Sequence, residues 1–311
     1  MSHELALQAI DNLLKSIVNS DVDVLRDASH HILEAGGKRV RPRLTLLAYE
    51  AVGGKNLDEA YPIAAAVELV HTATLVHDDI NDHGSIRRGR PTVNARWGRT
   101  FALLTGDYLF TKVYELMAPY KDLNIVFADA TVALVEGETL QAAAAKSGQL
   151  DRETYTRIIA KKTASLFAAA TKLGAMLGGG TKEQINALEQ YGFNLGLAFQ
   201  IIDDILDLIA DSKQLGKTAG IDVAQGKGLA TALAGAIGGN GHGAAAVLDV
   251  DAVDPMTAFK QKMLSGNYIQ EGRENATQLA TLAGMSLAVL PSSSAVDELQ
   301  ALTQQVVERD H

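Results

Sequence analysis

The sequence predicts an all-α fold, a single large helical bundle over residues 1–311, and three observations predict it. Apolar residues make up 47% of the chain and recur at three- and four-residue spacing, the period of one helix face. The alternation of β-branched and polar residues that marks strands is rare. Proline is scarce, with six in all and none between Pro119 and Pro255, so long helices can run without a break.

The elements follow in order. Leu5–Val18 and Leu25–Leu33 carry the helical period, and Gly36-Gly37 ends the second. Arg43–Ala51 follows, with Pro42 suited to its first turn, and Gly53-Gly54 closes it. Tyr61–Asp82 is long and apolar, and the breakers from Gly84 to Pro91 stop it. Thr100–Met117, Leu123–Ala145 and Asp151–Leu177 are rich in alanine and leucine. Gly178-Gly179-Gly180 separates them from Lys182–Ala210, where Thr181 is placed to cap the new helix through its hydroxyl. Residues 237–254 contain Gly238-Gly239-Asn240-Gly241-His242-Gly243 and read as a flexible loop. Asp297–Arg309 returns to the helical period.

Bulk chemistry excludes several functions. Lys plus Arg is 28 and Asp plus Glu is 37, a formal charge of −9, which argues against a nucleic-acid partner. There is no cysteine, so disulfides and thiolate metal sites are excluded. The segment Met1–Asp11 has no apolar signal core. No uncharged apolar run reaches roughly 18 residues, so a transmembrane helix is not expected.

The chemistry concentrates in two carboxylate clusters. Asp78-Asp79-Ile80-Asn81-Asp82 follows the apolar stretch Ala64–Val76. On a helix Asp78 and Asp82 share a face, with Asp79 about 100° around. Such carboxylates repel one another, and a hard cation offsets that repulsion; Mg²⁺ usually keeps places for water and a substrate phosphate. Asp203-Asp204-Ile205-Leu206-Asp207 repeats the arrangement after Ile201-Ile202. One such cluster could be a solvated helix end, but two on apolar helices are poorly explained as surface decoration.

Basic groups accompany them. Gly36-Gly37-Lys38-Arg39-Val40-Arg41-Pro42-Arg43 places four cations at a helix start, against the helix dipole, and a bound phosphate would remove the conflict. Arg87-Arg88-Gly89-Arg90 follows the first cluster closely, as capture of a diphosphate beside Mg²⁺ requires. Lys161-Lys162-Thr163 lies in the middle of a helix, Lys217 and Lys227 each follow a glycine, and Gln200 precedes Asp203. Taken alone, Lys162 and Thr163 read as incidental, and His71 reads as a core histidine.

Together these residues resemble the trans-polyprenyl (isoprenyl) diphosphate synthase family, from about Leu33 to Lys227. Gly37-Lys38-Arg39-Val40-Arg41-Pro42, Glu68–Asp79, Arg87-Arg88-Gly89, Gly106-Asp107, Gly137-Glu138 with Gln141, Lys162-Thr163, Gln200 and Asp203–Asp207 fall in the family's order. The resemblance implies a bundle of the isoprenoid synthase type with a central apolar cavity. It implies that Asp78, Asp79 and Asp82 with Asp203 coordinate Mg²⁺, three ions with substrate bound, and that Asp204 and Asp207 act through metal-bound water. It assigns Arg87, Lys162, Lys217 and Lys227 to an allylic diphosphate, and Lys38, Arg41, His71 and Arg88 to isopentenyl diphosphate. Thr163 and Gln200 would stabilise the allylic cation. The segment after Lys227 lacks the family's proline, which leaves its local geometry open.

The same resemblance implies a homodimer, with Thr100–Met117 and Leu123–Ala145 supplying apolar surface, a cytoplasmic location, and transient membrane contact for product release. The growing tail would run along the helix of Asp78, past Thr74, Ala73, Val70 and Ala66. None of these is aromatic, so a medium- to long-chain product is expected, or a geranylgeranyl product if Phe101 or Tyr108 closes the tunnel. Small size at Ala73 could instead serve only helix packing. Rival readings are a terpene cyclase or head-to-head condensing synthase of the same fold, a non-catalytic subunit of a heteromeric prenyltransferase, and a helical scaffold without enzymatic role.

Overall fold

The computed structural model describes residues 3–147, 151–209 and 267–309, and these residues are helical almost throughout. Lys217, Lys227 and the expected loop 237–254 lie outside them. The chain groups into two compact units, the first of residues 1–129, 169–189 and 289–299, the second of residues 130–168, 190–288 and 300–311.

In the first unit, α1 (His3–Ile17), α2 (Asp23–Glu34) and α3 (Val40–Ala51) precede α4 (Tyr61–Asn81). α4 is apolar on nearly every side, and Ile63, Ala64, Ala65, Ala66, Val67, Leu69 and Val70 are fully buried. A helix with no polar face must be covered all round, and α4 packs against α1, α3 and α6 (Arg99–Met117). Helix α3 starts earlier than the expected Arg43. Arg39 precedes it with φ 47°, a left-handed conformation costly for a residue with a Cβ. Its side chain holds it there, donating to Asp11 Oδ1 (2.8 Å), Glu68 Oε1 (2.6 Å) and the Leu33 carbonyl (3.2 Å). Arg39 is thus a structural cation, and it neutralises the buried Glu68.

Between α4 and α6 lies a small antiparallel hairpin, β1 (Ile86–Arg87) with β2 (Arg90–Pro91), which periodicity cannot reveal at this length. Arg88 (φ 51°) and Gly89 (φ 74°) form its two-residue turn, and positive φ at both positions suits the strand twist. His31 anchors the far end: its Nε2 donates to the Pro91 carbonyl (2.7 Å), which leaves Nδ1 to accept from Arg96 (3.2 Å). The short helix α5 (Val93–Trp97) is capped by Thr92, whose oxygen accepts from the Ala95 amide.

Helix α7 (Lys121–Ser147) contributes its later turns to the second unit. There α8 (Arg152–Ile159) does not continue smoothly into α9 (Ser165–Leu177) as the sequence suggests, because Ala160–Ala164 forms a π turn. Thr181 caps α10 (Lys182–Ile209) as expected: its hydroxyl accepts from the Gln184 amide (3.2 Å), and Gln184 returns a bond to the Thr181 amide (2.9 Å). Helix α11 (Tyr268–Ser286) goes unmarked in the sequence because its buried stripe is Ala276, Ala280 and Ala283, too small to stand out. Helix α12 (Ser294–Val307) is the last described helix.

Candidate active site

The first cluster ends α4. Asp78 and Asp79 occupy its last turn and Asp82 its C-cap, and no basic residue compensates in that turn. The carbonyl end of a helix disfavours anions, so three carboxylates there require cations from elsewhere. Arg87 supplies one. Its Nε donates to both oxygens of Asp79 (2.9 and 3.0 Å), and its Nη2 lies 2.8 Å from Oδ1. Asp79 is only 3% exposed. Burial raises its pKa, Arg87 opposes that rise, and Asp78 and Asp82 add to it. Burial also works against the charge on Arg87, but its contacts with Asp79 and the fields of Asp78 and Asp82 hold its pKa above the ordinary value.

Asp78 and Asp82 are half-buried, one turn apart. Among the described residues no three His, Asp or Glu side chains form a closed metal site by themselves. The donor set still fits a hard divalent cation: it is all oxygen, carries excess negative charge at a helix C-terminus, and Mg²⁺ typically takes one or two carboxylates with phosphate and water.

The basic residues assigned to isopentenyl diphosphate gather in this unit. The Arg88 guanidinium lies over Gly37, where a Cβ would fall 2.8 Å from Nη1. Gly37 is therefore a contact surface for Arg88, and Lys38 is its exposed neighbour. His71 sits among these cations. Burial, then Arg41, Arg88, Arg87 and Arg39, push its pKa well below the ordinary imidazole value, so near pH 7 it is neutral and offers a hydrogen bond rather than a charge. Burial likewise lowers the Arg88 pKa, with Glu68 opposing and Arg39 and Arg87 assisting. His77 lies against Gly106, where any Cβ would collide with its ring, and it stacks on Phe110. Val70 and Ala73 are fully buried and Thr74 nearly so, Thr74 donating to the His71 carbonyl (2.8 Å). Phe101 is 42% exposed and Tyr108 donates to the Asn19 carbonyl (3.1 Å).

The second cluster lies on α10. Asp203, Asp204 and Asp207 are half-buried beside the buried Ile201, Ile202, Ile205 and Leu206. Thr163, in the π turn, donates to Gln200 Oε1 (2.8 Å), and Gln200 donates to Asp204 Oδ1 (2.9 Å). Lys162 reaches Glu138 (2.8 Å) and Gln141 (3.0 Å) on α7. Gly137 allows that approach, since a Cβ there would sit 2.5 Å from the Lys162 amide nitrogen. The motif of Gly137, Glu138 and Gln141 thus serves to seat Lys162. π turns often mark functional sites, and this one carries both Lys162 and Thr163.

Two residues escape sequence reasoning. Tyr155 donates to Asp204 Oδ2 at 2.6 Å; it lies seven positions before Lys162, a spacing that would share a face on a regular helix. Arg309 lies 3.2 Å from Asp203 Oδ1 and 4.8 Å above the Phe199 ring, and no local pattern marks it.

A family sequence model described as polyprenyl synthetase matches residues 22–236. The chain is 45% identical over 225 residues to the short chain isoprenyl diphosphate synthase of Methanothermobacter thermautotrophicus, covering 70% of this chain and 69% of that protein. It is 34% identical over 314 residues to the octaprenyl diphosphate synthase of Haemophilus influenzae, covering 98% and 94%. A crystal structure of a polyprenyl synthase from Caulobacter crescentus CB15, complexed with calcium and isoprenyl diphosphate, superposes with a TM-score of 0.89 at 33% identity, covering 99% of this chain and 96% of that one.

Proposed function

We infer that this chain, which belongs to the polyprenyl synthetase family, is a trans-prenyltransferase that condenses isopentenyl diphosphate with an allylic diphosphate. The observation that carries the reading is the pair of triple-aspartate turns on buried apolar helices, the first with Asp79 clamped by Arg87. The family match runs through segments of both units, which supports one polyprenyl synthase domain over residues 1–311.

On the family's pattern Asp78, Asp79 and Asp82 with Asp203 would coordinate Mg²⁺, three ions with substrate bound, and Asp204 and Asp207 would act through metal-bound water. Bound Mg²⁺ supplies positive charge against the negative charge that develops on a leaving diphosphate. Arg87 is a fixed cation beside Asp79, and on the family's pattern Arg87, Lys162, Lys217 and Lys227 would bind the allylic diphosphate. Lys38, Arg41 and Arg88 take the diphosphate of the isopentenyl substrate, and neutral His71 adds a hydrogen bond. Thr163 and Gln200 orient their dipoles toward the allylic cation. The grouping of Arg41, Arg88 and His71 favours condensation over cyclisation, which needs no second diphosphate site.

Product length follows from α4. Val70, Ala73 and Thr74 carry no aromatic ring, and Phe101 is turned to the surface of this chain, which supports a medium- to long-chain product. Exposed Phe101, Leu104 and Tyr114 on α6, and Ile125, Val132 and Val135 on α7, support a homodimer. No helix among the described residues is long and apolar enough to cross a membrane; on the family's pattern the enzyme is cytoplasmic and touches membrane only to release product. The test is turnover of Asp78→Asn and Asp203→Asn, each expected to lose about two or more orders of magnitude. Full activity of both variants, or of wild type in excess EDTA, would refute it.

A further inference from the structure

Asp204 stands at the centre of a hydrogen-bond chain through four side chains of the second unit. Tyr155 Oη donates to its Oδ2 (2.6 Å) and Gln200 Nε2 to its Oδ1 (2.9 Å), while Gln200 Oε1 accepts from Thr163 Oγ1 (2.8 Å). The chain has one polarity. An ionised carboxylate only accepts, so Asp204 makes Gln200 present its amide NH₂ and leaves the amide oxygen for Thr163. The Thr163 proton is thereby committed to Gln200, and its oxygen lone pairs remain for another partner.

Tyr155 is 4% exposed. A cavity of ≈ 120 Å³ borders it, lined also by Ile159, Leu197, Ile201 and Leu279. The short bond to Asp204 restrains the ring, since hydroxyl-to-carboxylate bonds of this length are among the strong ones. In return, Asp204 cannot rotate away from Gln200 without breaking it.

We propose that Tyr155 is a positioning residue for the condensation: by locking Asp204 it fixes the Gln200 amide, and so turns the Thr163 hydroxyl to offer lone pairs, not its proton, to the developing allylic cation. This rests on the prenyl-transfer reading above. The effect of Tyr155 on the reaction runs through Asp204 and Gln200. With the Tyr155 hydroxyl removed, Asp204 loses one of the bonds that orient it, and the Gln200 amide flips more readily. A flipped amide presents NH₂ to Thr163, whose proton then points outward and repels positive charge.

The test is a double-mutant cycle on the full-length chain with isopentenyl diphosphate and an allylic primer. Tyr155→Phe keeps the ring and its packing. It is expected to lower kcat about tenfold, with KM for isopentenyl diphosphate within about twofold and Tm within about 3 °C. Gln200→Ala should lower kcat at least as much, and adding Tyr155→Phe to it should change kcat by less than about twofold, because Gln200 transmits the effect. Wild-type kcat in Tyr155→Phe, multiplied losses in the double variant, or a KM defect without a kcat defect would each overturn the proposal. A wild-type chain that forms no product overturns the functional reading and this one with it, whereas a fully active Tyr155→Phe overturns this one alone.

Discussion

Replacing Arg87 with alanine should cost this protein stability before it costs anything else. Asp79 is 3% exposed, and the Arg87 side chain covers both its oxygens at 2.8–3.0 Å. Removing one partner of a buried pair typically costs about 3–5 kcal/mol, because the other charge stays buried. Asp79 has an escape: it can take up a proton. From an unfolded pKa near 3.9, protonation at pH 7 costs about 4 kcal/mol, which caps the penalty. At roughly 2–4 °C per kcal/mol for domains of this size, the drop in Tm is on the order of 10 °C. The cap carries a pH signature. In the variant the folded-state pKa of Asp79 is raised above its unfolded value, so the protonated carboxyl favours folding as pH falls. The deficit against wild type should therefore shrink as pH falls from 7 towards 5, by up to about 1.4 kcal/mol per pH unit, and by less wherever the wild-type Asp79, itself raised by burial, also takes up a proton. Thermal unfolding followed by circular dichroism measures this directly. Asp79→Ala combined with Arg87→Ala should recover more than half of the loss, since no unpaired charge remains. A single variant within about 2 °C of wild type at pH 7, or a deficit unchanged at pH 5, would refute the reasoning.

Other substitutions test separate parts of the site. Arg88→Ala should raise KM for isopentenyl diphosphate by about tenfold or more with kcat nearly unchanged; equal effects on both substrates would contradict its assignment. Ala73→Phe should shorten the products while leaving the first condensation largely intact, because one helical turn, about 5.4 Å, is close to one extended isoprene unit; unchanged product lengths would remove Ala73 from the tunnel. His71→Gln should flatten the acid side of the stability profile. The folded His71 resists protonation while the unfolded chain binds a proton below about pH 6.5. Wild-type stability is thus complete above that pH and falls by up to about 1.4 kcal/mol per unit below it, and equal slopes in urea titrations of the two proteins would refute the assignment.

The two aspartate clusters are legible in the sequence because their signal is local: three carboxylates within five positions, set in apolar helix, conflict with every local preference unless a cation resolves them. Arg88 and Lys38 are legible as charges, and Gly37 as a turn, but their convergence comes from the hairpin turn at Arg88-Gly89. The π turn at Ala160–Ala164 is invisible to periodicity, since one extra residue shifts the register without changing composition. Tyr155 lies 49 positions from Asp204 and Arg309 lies 106 positions from Asp203, so neither pairing leaves a trace in local spacing. Arg39 and Arg41 look alike in the basic run; only burial against Glu68 separates the structural cation from the others.

The central claim is a head-to-tail condensation, and product analysis tests it most directly. Purified protein is incubated with Mg²⁺, isopentenyl diphosphate and geranyl, farnesyl or geranylgeranyl diphosphate, and the chain lengths of the dephosphorylated products are measured. The expected products are linear all-trans prenyl alcohols longer than farnesol, formed only with both substrates and lost with EDTA. Cyclic hydrocarbon from the allylic substrate alone, or no product with any primer, would contradict the claim.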